Sequence, residues 1–258
     1  MYSQNNKKMK TNYFISIILS IFLFSCNNNE TISEIQKESL EDKVGFYHNQ
    51  ALSLYYESDA NINSTDYDEV KADIINVLTN SENSTFNESE IKQLEAKASF
   101  ITIKSNIKFR AKSESTTSKD VITNDFKSII TYLKDNNEIS DLLFSKLSEI
   151  NVHVILGDLS SEQLLNSINS LSNFQWSEND QKYITTFVQV YNSSYSFWKT
   201  ESNKIKALNG INRVNQSTMK EGDAVIIADA AGAIYGMLLG PVWSIVEGAI
   251  FSVIANNQ

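Results

Sequence analysis

The chain of 258 residues holds one proline, one cysteine, two histidines and only eight glycines. So few turn formers leave little material for a strand-dense sandwich or barrel. A lone cysteine excludes an internal disulfide framework, so stability must come from packing. Two isolated histidines without a neighbouring cysteine exclude zinc-type ligand sets. Basic residues are scarce, 22 Lys and Arg against 31 Asp and Glu, and the formal charge of −9 opposes binding to a phosphate backbone; no nucleic-acid partner is expected. Glycine-rich phosphate loops of the GxxxxGK and GxGxxG types are missing, as is a G-x-S-x-G elbow. No cofactor and no metal is therefore expected. What is present is apolar material, 41% of the chain, enough for a packed core.

The first residues look like an address. Lys7, Lys8 and Lys10 precede an apolar run from Tyr13 to Phe24, too short to span a membrane comfortably. The run ends Leu23-Phe24-Ser25-Cys26 and uses the single cysteine. This resembles a bacterial lipoprotein signal, in which a small residue precedes the cysteine that receives lipid before cleavage. The resemblance implies a signal peptide over 1–25, lipid on Cys26 and a tether over 26–34. Removing three lysines leaves the mature chain more acidic, so the lipid chains rather than the protein surface should hold the membrane.

The remainder reads as helices, and the fold expected is an all-α antiparallel bundle or array, with a helical body over 35–220. Apolar positions recur at helical spacing in 35–58 (Leu40, Val44, Tyr47, Ala51, Leu52, Tyr55) and in 66–79 (Tyr67, Val70, Ile74, Val77, Leu78). Further stripes fall in 88–110, 119–134 and 138–149, although Ile101 to Phe109 is also strand-like and Val152 to Leu156 (VHVIL) reads as a short extended piece. Ser160 with Gln163 has the spacing of a capping box, and Ser177 precedes the longest stripe, Tyr183 to Trp198.

After 220 the alphabet changes. Five of the eight glycines lie between Gly222 and Gly248. Small residues recur every fourth position from Ala224 through Ala228, Gly232, Gly236 and Gly240 to Ser252, a ridge that lets another backbone approach closely. Gly240-Pro241 should interrupt it, giving two apolar helices, 221–239 and 242–255, joined by a tight turn within a hairpin over 221–258. The stretch from Ala230 to Val246 carries no charge, and Asp229 and Glu247 bracket it. Three placements are open: bundle core, membrane insertion or an oligomer contact.

This tail, GDAVIIADAAGAIYGMLLGPVWSIVEGAIFSVI, is similar to the C-termini of a group of small Bacteroidota lipoproteins, and Gly45 to Leu52 resembles their G-x-x-H-N-x-x-L element. The resemblance implies a helical fold, lipid-anchored at the bacterial outer membrane or elsewhere in the cell envelope, and no particular activity. In composition the tail also resembles the glycine-rich helices of pore-forming bacteriocins. Among single residues, His48 beside Asn49 is a candidate either for acid–base or binding chemistry in a cleft or for helix packing, and His153 carries the same pair of readings. Asp59, Asn61 and Asn63 mimic the start of a calcium loop, but Ser64 and Val70 occupy the positions that need glycine and glutamate. Trp176, Trp198 and Trp243 suit either a core or a ligand groove. The function expected is a lipid-anchored, non-enzymatic module that binds an envelope protein or small ligand; the alternative is a membrane-active protein, toxin-like or immunity-like, that inserts its hairpin.

Overall fold

The structure is a computed structural model that describes residues 40–80, 86–105, 118–200 and 219–257. Cys26, the signal segment and the tether lie outside the described residues, as does 106–109 of the strand-like run. Among the described residues the fold is all-α, without a strand. A 3-10 turn, Leu40–Lys43, leads into α1 (Val44–Glu57), followed by α2 (Tyr67–Asn80), α3 (Glu88–Ser105) and α4 (Ser118–Asp135). Then come α5 (Asp141–Leu156), α6 (Ser161–Ser170), α7 (Glu178–Thr200), α8 (Met219–Gly236) and α9 (Pro241–Asn257).

Local chemistry sets several of these boundaries. Ser140 Oγ accepts from Leu143 N at 3.2 Å and opens α5, which Gly157 closes in the left-handed conformation at φ +60. The capping box at α6 is complete: Ser160 Oγ accepts from Gln163 N at 3.3 Å, and Gln163 Oε1 accepts from Ser160 N at 2.9 Å. Ser177 Oγ accepts from Asp180 N at 3.1 Å and starts α7. Asp180, almost fully buried, also takes the Ser140 N–H at 2.8 Å, so one carboxylate clasps the starts of α5 and α7.

The VHVIL segment is not extended. It forms the last turns of α5, because Gly157 offers a helix stop only after Leu156. Only Val154 of that run turns inward; Val152, Ile155 and Leu156 lie exposed, so its apolar residues follow no single helical face. Helix α5 consequently runs well past the 138–149 stripe.

The C-terminal hairpin forms the middle of the molecule. Helices α8 and α9 pack against each other along their length, joined by a 3-10 turn (Met237–Leu239) and Gly240 at φ +100. Pro241 then sits at the first helical position, where its missing N–H costs nothing. On one side, α8 packs with α4, α6 and α7 in a core that includes Phe126, Ile130, Phe187 and Ile234. On the other side, α9 packs with α1 and α2 in a second core that includes Leu52, Ile74, Trp243 and Ile250. Every residue from Val242 to Ala255 is buried.

Small residues bring the two hairpin backbones together. A Cβ placed on Gly236 would lie 2.5 Å from the Trp243 carbonyl oxygen and 2.7 Å from Ser244 Cα. One on Gly232 would lie 2.6 Å from the Glu247 carbonyl oxygen. Ser244 Oγ adds a hydrogen bond to the Ala233 carbonyl at 2.6 Å. Ala228 is buried on the same helix. Gly240 takes no part in this approach: nothing lies within 4 Å of a Cβ there, and its role is the turn.

Candidate functional site

The chemistry-bearing side chains collect along the hairpin, inside the protein. Gly45 admits α7 against α1: a Cβ there would lie 2.5 Å from Ser193 Oγ and 2.6 Å from the Gln189 carbonyl. Less than one turn later, His48 therefore points inward, and it is 0% exposed. Gly248 of α9 leaves room for the ring; a Cβ at that position would stand 2.9 Å from His48 Cδ2.

Polar neighbours from α1, α7 and α9 surround the ring. Asn49 Nδ2 donates to the Ser193 carbonyl at 2.8 Å, so Asn49 Oδ1 is left to accept. It lies 3.1 Å from His48 Nδ1, and the Gly248 carbonyl of α9 also acts on the ring. Nε2 faces Asp229 Oδ2 at 3.9 Å, beyond hydrogen-bond distance, and has no partner of its own. Burial holds the imidazole well below its usual range, at about 4, so the ring is neutral at physiological pH.

Asp229, on α8, is also 0% exposed. Its Oδ2 accepts from Ser194 Oγ at 2.5 Å and from Trp198 Nε1 at 3.1 Å, both on α7. Burial pushes the carboxyl up to about 7, against the opposing effect of these donors. Oδ1 has no hydrogen-bond partner. The Ser252 hydroxyl of α9 acts on the carboxyl electrostatically without reaching the geometry of a full hydrogen bond.

A second carboxyl mirrors this one on α9. Glu247 Oε1 accepts from Tyr67 Oη at 2.7 Å and from Trp243 Nε1 at 3.0 Å, and Oε2 has no partner. Burial again raises the group to about 7, and the Lys71 charge on α2 acts in the opposite direction. Lys71 is itself tied to Asp68 at 3.0 Å and Glu95 at 3.5 Å. The residues read from the sequence as flanks of an apolar segment are thus its buried polar core.

Serine, histidine and aspartate meet here, but not as a nucleophile relay. Such a relay needs the histidine between the serine and the acid. Here Asp229 stands between Ser194 and His48, so the imidazole does not touch the hydroxyl, and all three side chains are sealed from solvent. His153 is not a packing residue. It lies at the partly exposed end of α5, with Nδ1 3.0 Å from Asp158 Oδ1. Asn61 serves its own connector, donating to Glu69 Oε1 at 3.2 Å and accepting from Tyr55 Oη at 3.0 Å through its carbonyl. Among the described residues no cluster of three or more His, Cys, Asp or Glu side chains could hold a metal ion. Trp198 and Trp243 each donate to one buried carboxyl, and Trp176 donates to the Leu171 carbonyl at 2.8 Å.

No family model, no curated protein and no solved structure matches the chain. Sequence reasoning reached His48 and Asn49 but missed Asp229, Glu247, Ser194 and Tyr67. The available signal was a carboxylate inside an otherwise small and apolar helix, Ala228-Asp229-Ala230-Ala231, where a surface charge has no reason to sit.

Proposed function

We propose that this is a lipid-anchored cell-envelope protein, held in the membrane by acylated Cys26, that works as a non-enzymatic binding or interaction module. One observation carries the reading. His48, Asp229 and Glu247 are enclosed in the core, while the outer side of α5 presents Leu142, Val152, Ile155 and Leu156 to solvent. Phe174 extends this apolar surface, with the Lys146 ammonium 5.5 Å from its ring centre. Apolar surface of this kind suits contact with another protein better than turnover of a small substrate.

Two experiments test it. Metabolic labelling with an alkyne fatty acid should mark the full chain and not Cys26→Ala; label kept by the variant refutes the anchor. A photo-crosslinking residue at Leu156 should form a discrete protein adduct in intact envelopes, and one at exposed Asn124 on α4 should not. Identical behaviour at both positions overturns the binding face.

The membrane-active alternative draws on the hairpin, whose helices are apolar on nearly every side. Against it, no described helix is long and apolar enough to cross a membrane. Dye leakage from liposomes that disappears on removing residues 221–258 would replace the binding reading with this one.

A further inference from the structure

We propose that an aromatic trio at the start of α1, Phe46 with Tyr47 and Phe86, rests on the lipid surface in which acylated Cys26 is anchored. The register of α1 builds the trio. Val44, His48, Ala51, Leu52 and Tyr55 all turn inward, and Phe46 falls outside that stripe. It packs in neither core and stays 65% exposed. Tyr47, partly buried against the second core, meets the Phe46 ring edge-on at 5.3 Å. The same tyrosine meets Phe86, just ahead of α3, edge-on at 5.4 Å. One ring is thus held outward by two others that are fixed to the body. An aromatic ring kept in this position is stabilised by any surface that removes it from water.

What covers the trio follows from where the chain is tied, and so rests on the acylated Cys26 proposed above. Thirteen residues, 27–39, lie between that cysteine and Leu40, and Phe46 is in the first turn of α1. Thirteen residues reach at most about 47 Å when fully extended, so the start of α1 is leashed to the bilayer whatever path they take. Among the described residues the other exposed large apolar side chains begin only at Leu142, on α5. Charge names the kind of lipid. Glu41, Asp42 and Lys43 precede the trio with one net negative charge; Glu88 and Glu90 follow Phe86, Glu88 paired with Lys92. An anionic lipid surface would repel these carboxylates, whereas a zwitterionic phospholipid interface takes the rings without that cost. The contact is peripheral, since no described helix is long and apolar enough to cross a membrane. The lipid on Cys26 holds the protein, and the trio sets which side of it faces the bilayer.

The test uses the full chain, lipidated and reconstituted in phosphatidylcholine vesicles. With Cys26 carrying lipid, Phe46→Cys presents a single free thiol, because the chain has no other cysteine. An environment-sensitive fluorophore on it should be quenched by nitroxide-bearing lipid and shielded from aqueous iodide. The same fluorophore on Asn124→Cys, at an exposed position of α4, should show the reverse. Equal responses at the two positions, in protein that floats with the vesicles, overturn the lipid contact and leave the anchor standing. Shielding from iodide without lipid quenching assigns the face to a second copy and overturns the contact as well. Protein that does not float refutes the anchor itself, and the contact falls with it. A second variant keeps the ring in place: a fluorophore on Gln50→Cys, one turn further along α1, should also be quenched by the lipid nitroxide. Adding Phe46→Ser to that variant should cut the quenching severalfold. Quenching that survives the substitution overturns the role of the ring.

Discussion

Along α6 only Ser161, Leu164 and Ile168 are buried, and its other residues are partly or fully exposed; along α9 every residue from Val242 to Ala255 is buried. The first helix is stabilised at its end and on one face, by a capping box and a narrow stripe. The second has neighbours on all sides, α1 and α2 on one flank and α8 on the other. A one-sided helix needs bulk in one direction. A helix enclosed on all sides also needs missing bulk, because α8 can reach it only where Gly232 and Gly236 present no side chain. The surrounding helices are therefore sensitive to what is taken away, and the hairpin to what is added.

Four substitutions separate these regimes, from the largest expected effect to the smallest. Phe126 of α4 is fully buried and stacks on Phe187 at 5.7 Å, so Phe126→Ala should destabilise by about 3–5 kcal/mol, read by chemical denaturation. Gly236→Leu adds bulk where backbone stands 2.5 Å away. Overpacking there should cost about 1–3 kcal/mol, outweighing the roughly 0.5–1 kcal/mol that helix propensity returns. A melting temperature unchanged or raised in Gly236→Leu would break the comparison outright. Glu247→Gln should do little at pH 4 and raise stability relative to the wild type at pH 8, by roughly 1–3 kcal/mol. The reason is that burial raises the wild-type carboxyl to about 7 while the unfolded chain releases the proton near its ordinary value, so the fold loses stability as pH rises through about 7 and the loss is complete at pH 8. Equal stability differences at the two pH values would remove Glu247 from the account. Ser160→Ala deletes the cap of α6 and should cost about 1 kcal/mol, visible as faster amide exchange in that helix first.

The legibility of the chain follows the same division. Ser160 with Gln163, Ser177 and the stripe from Tyr183 to Trp198 were readable because capping and one-sided burial act within a few residues of sequence. The four-residue recurrence of small side chains was readable too, since closeness of backbones demands it wherever the partner lies. VHVIL misled because β-branched residues on an exposed turn follow no burial pattern, and only the position of Gly157 reveals the helix. The polar seam was the least legible part. Asp229 meets Ser194 and Trp198 from 35 and 31 residues away, and Glu247 meets Tyr67 from 180 away. No local pattern encodes such pairings, so charges that close in space as core read in sequence as boundary markers.

The central position of the hairpin also bears on how the protein is made. Synthesis runs from α1 to α9, so the wall against which both cores close leaves the ribosome after every helix that leans on it. Until α8 and α9 emerge, Ile130, Leu52 and Ile74 lack the hairpin side of their cover, and Phe126 has the Phe187 ring without the hairpin behind it. The apolar faces turned toward the hairpin therefore stay open until it emerges, and both cores close only with the last two helices in place.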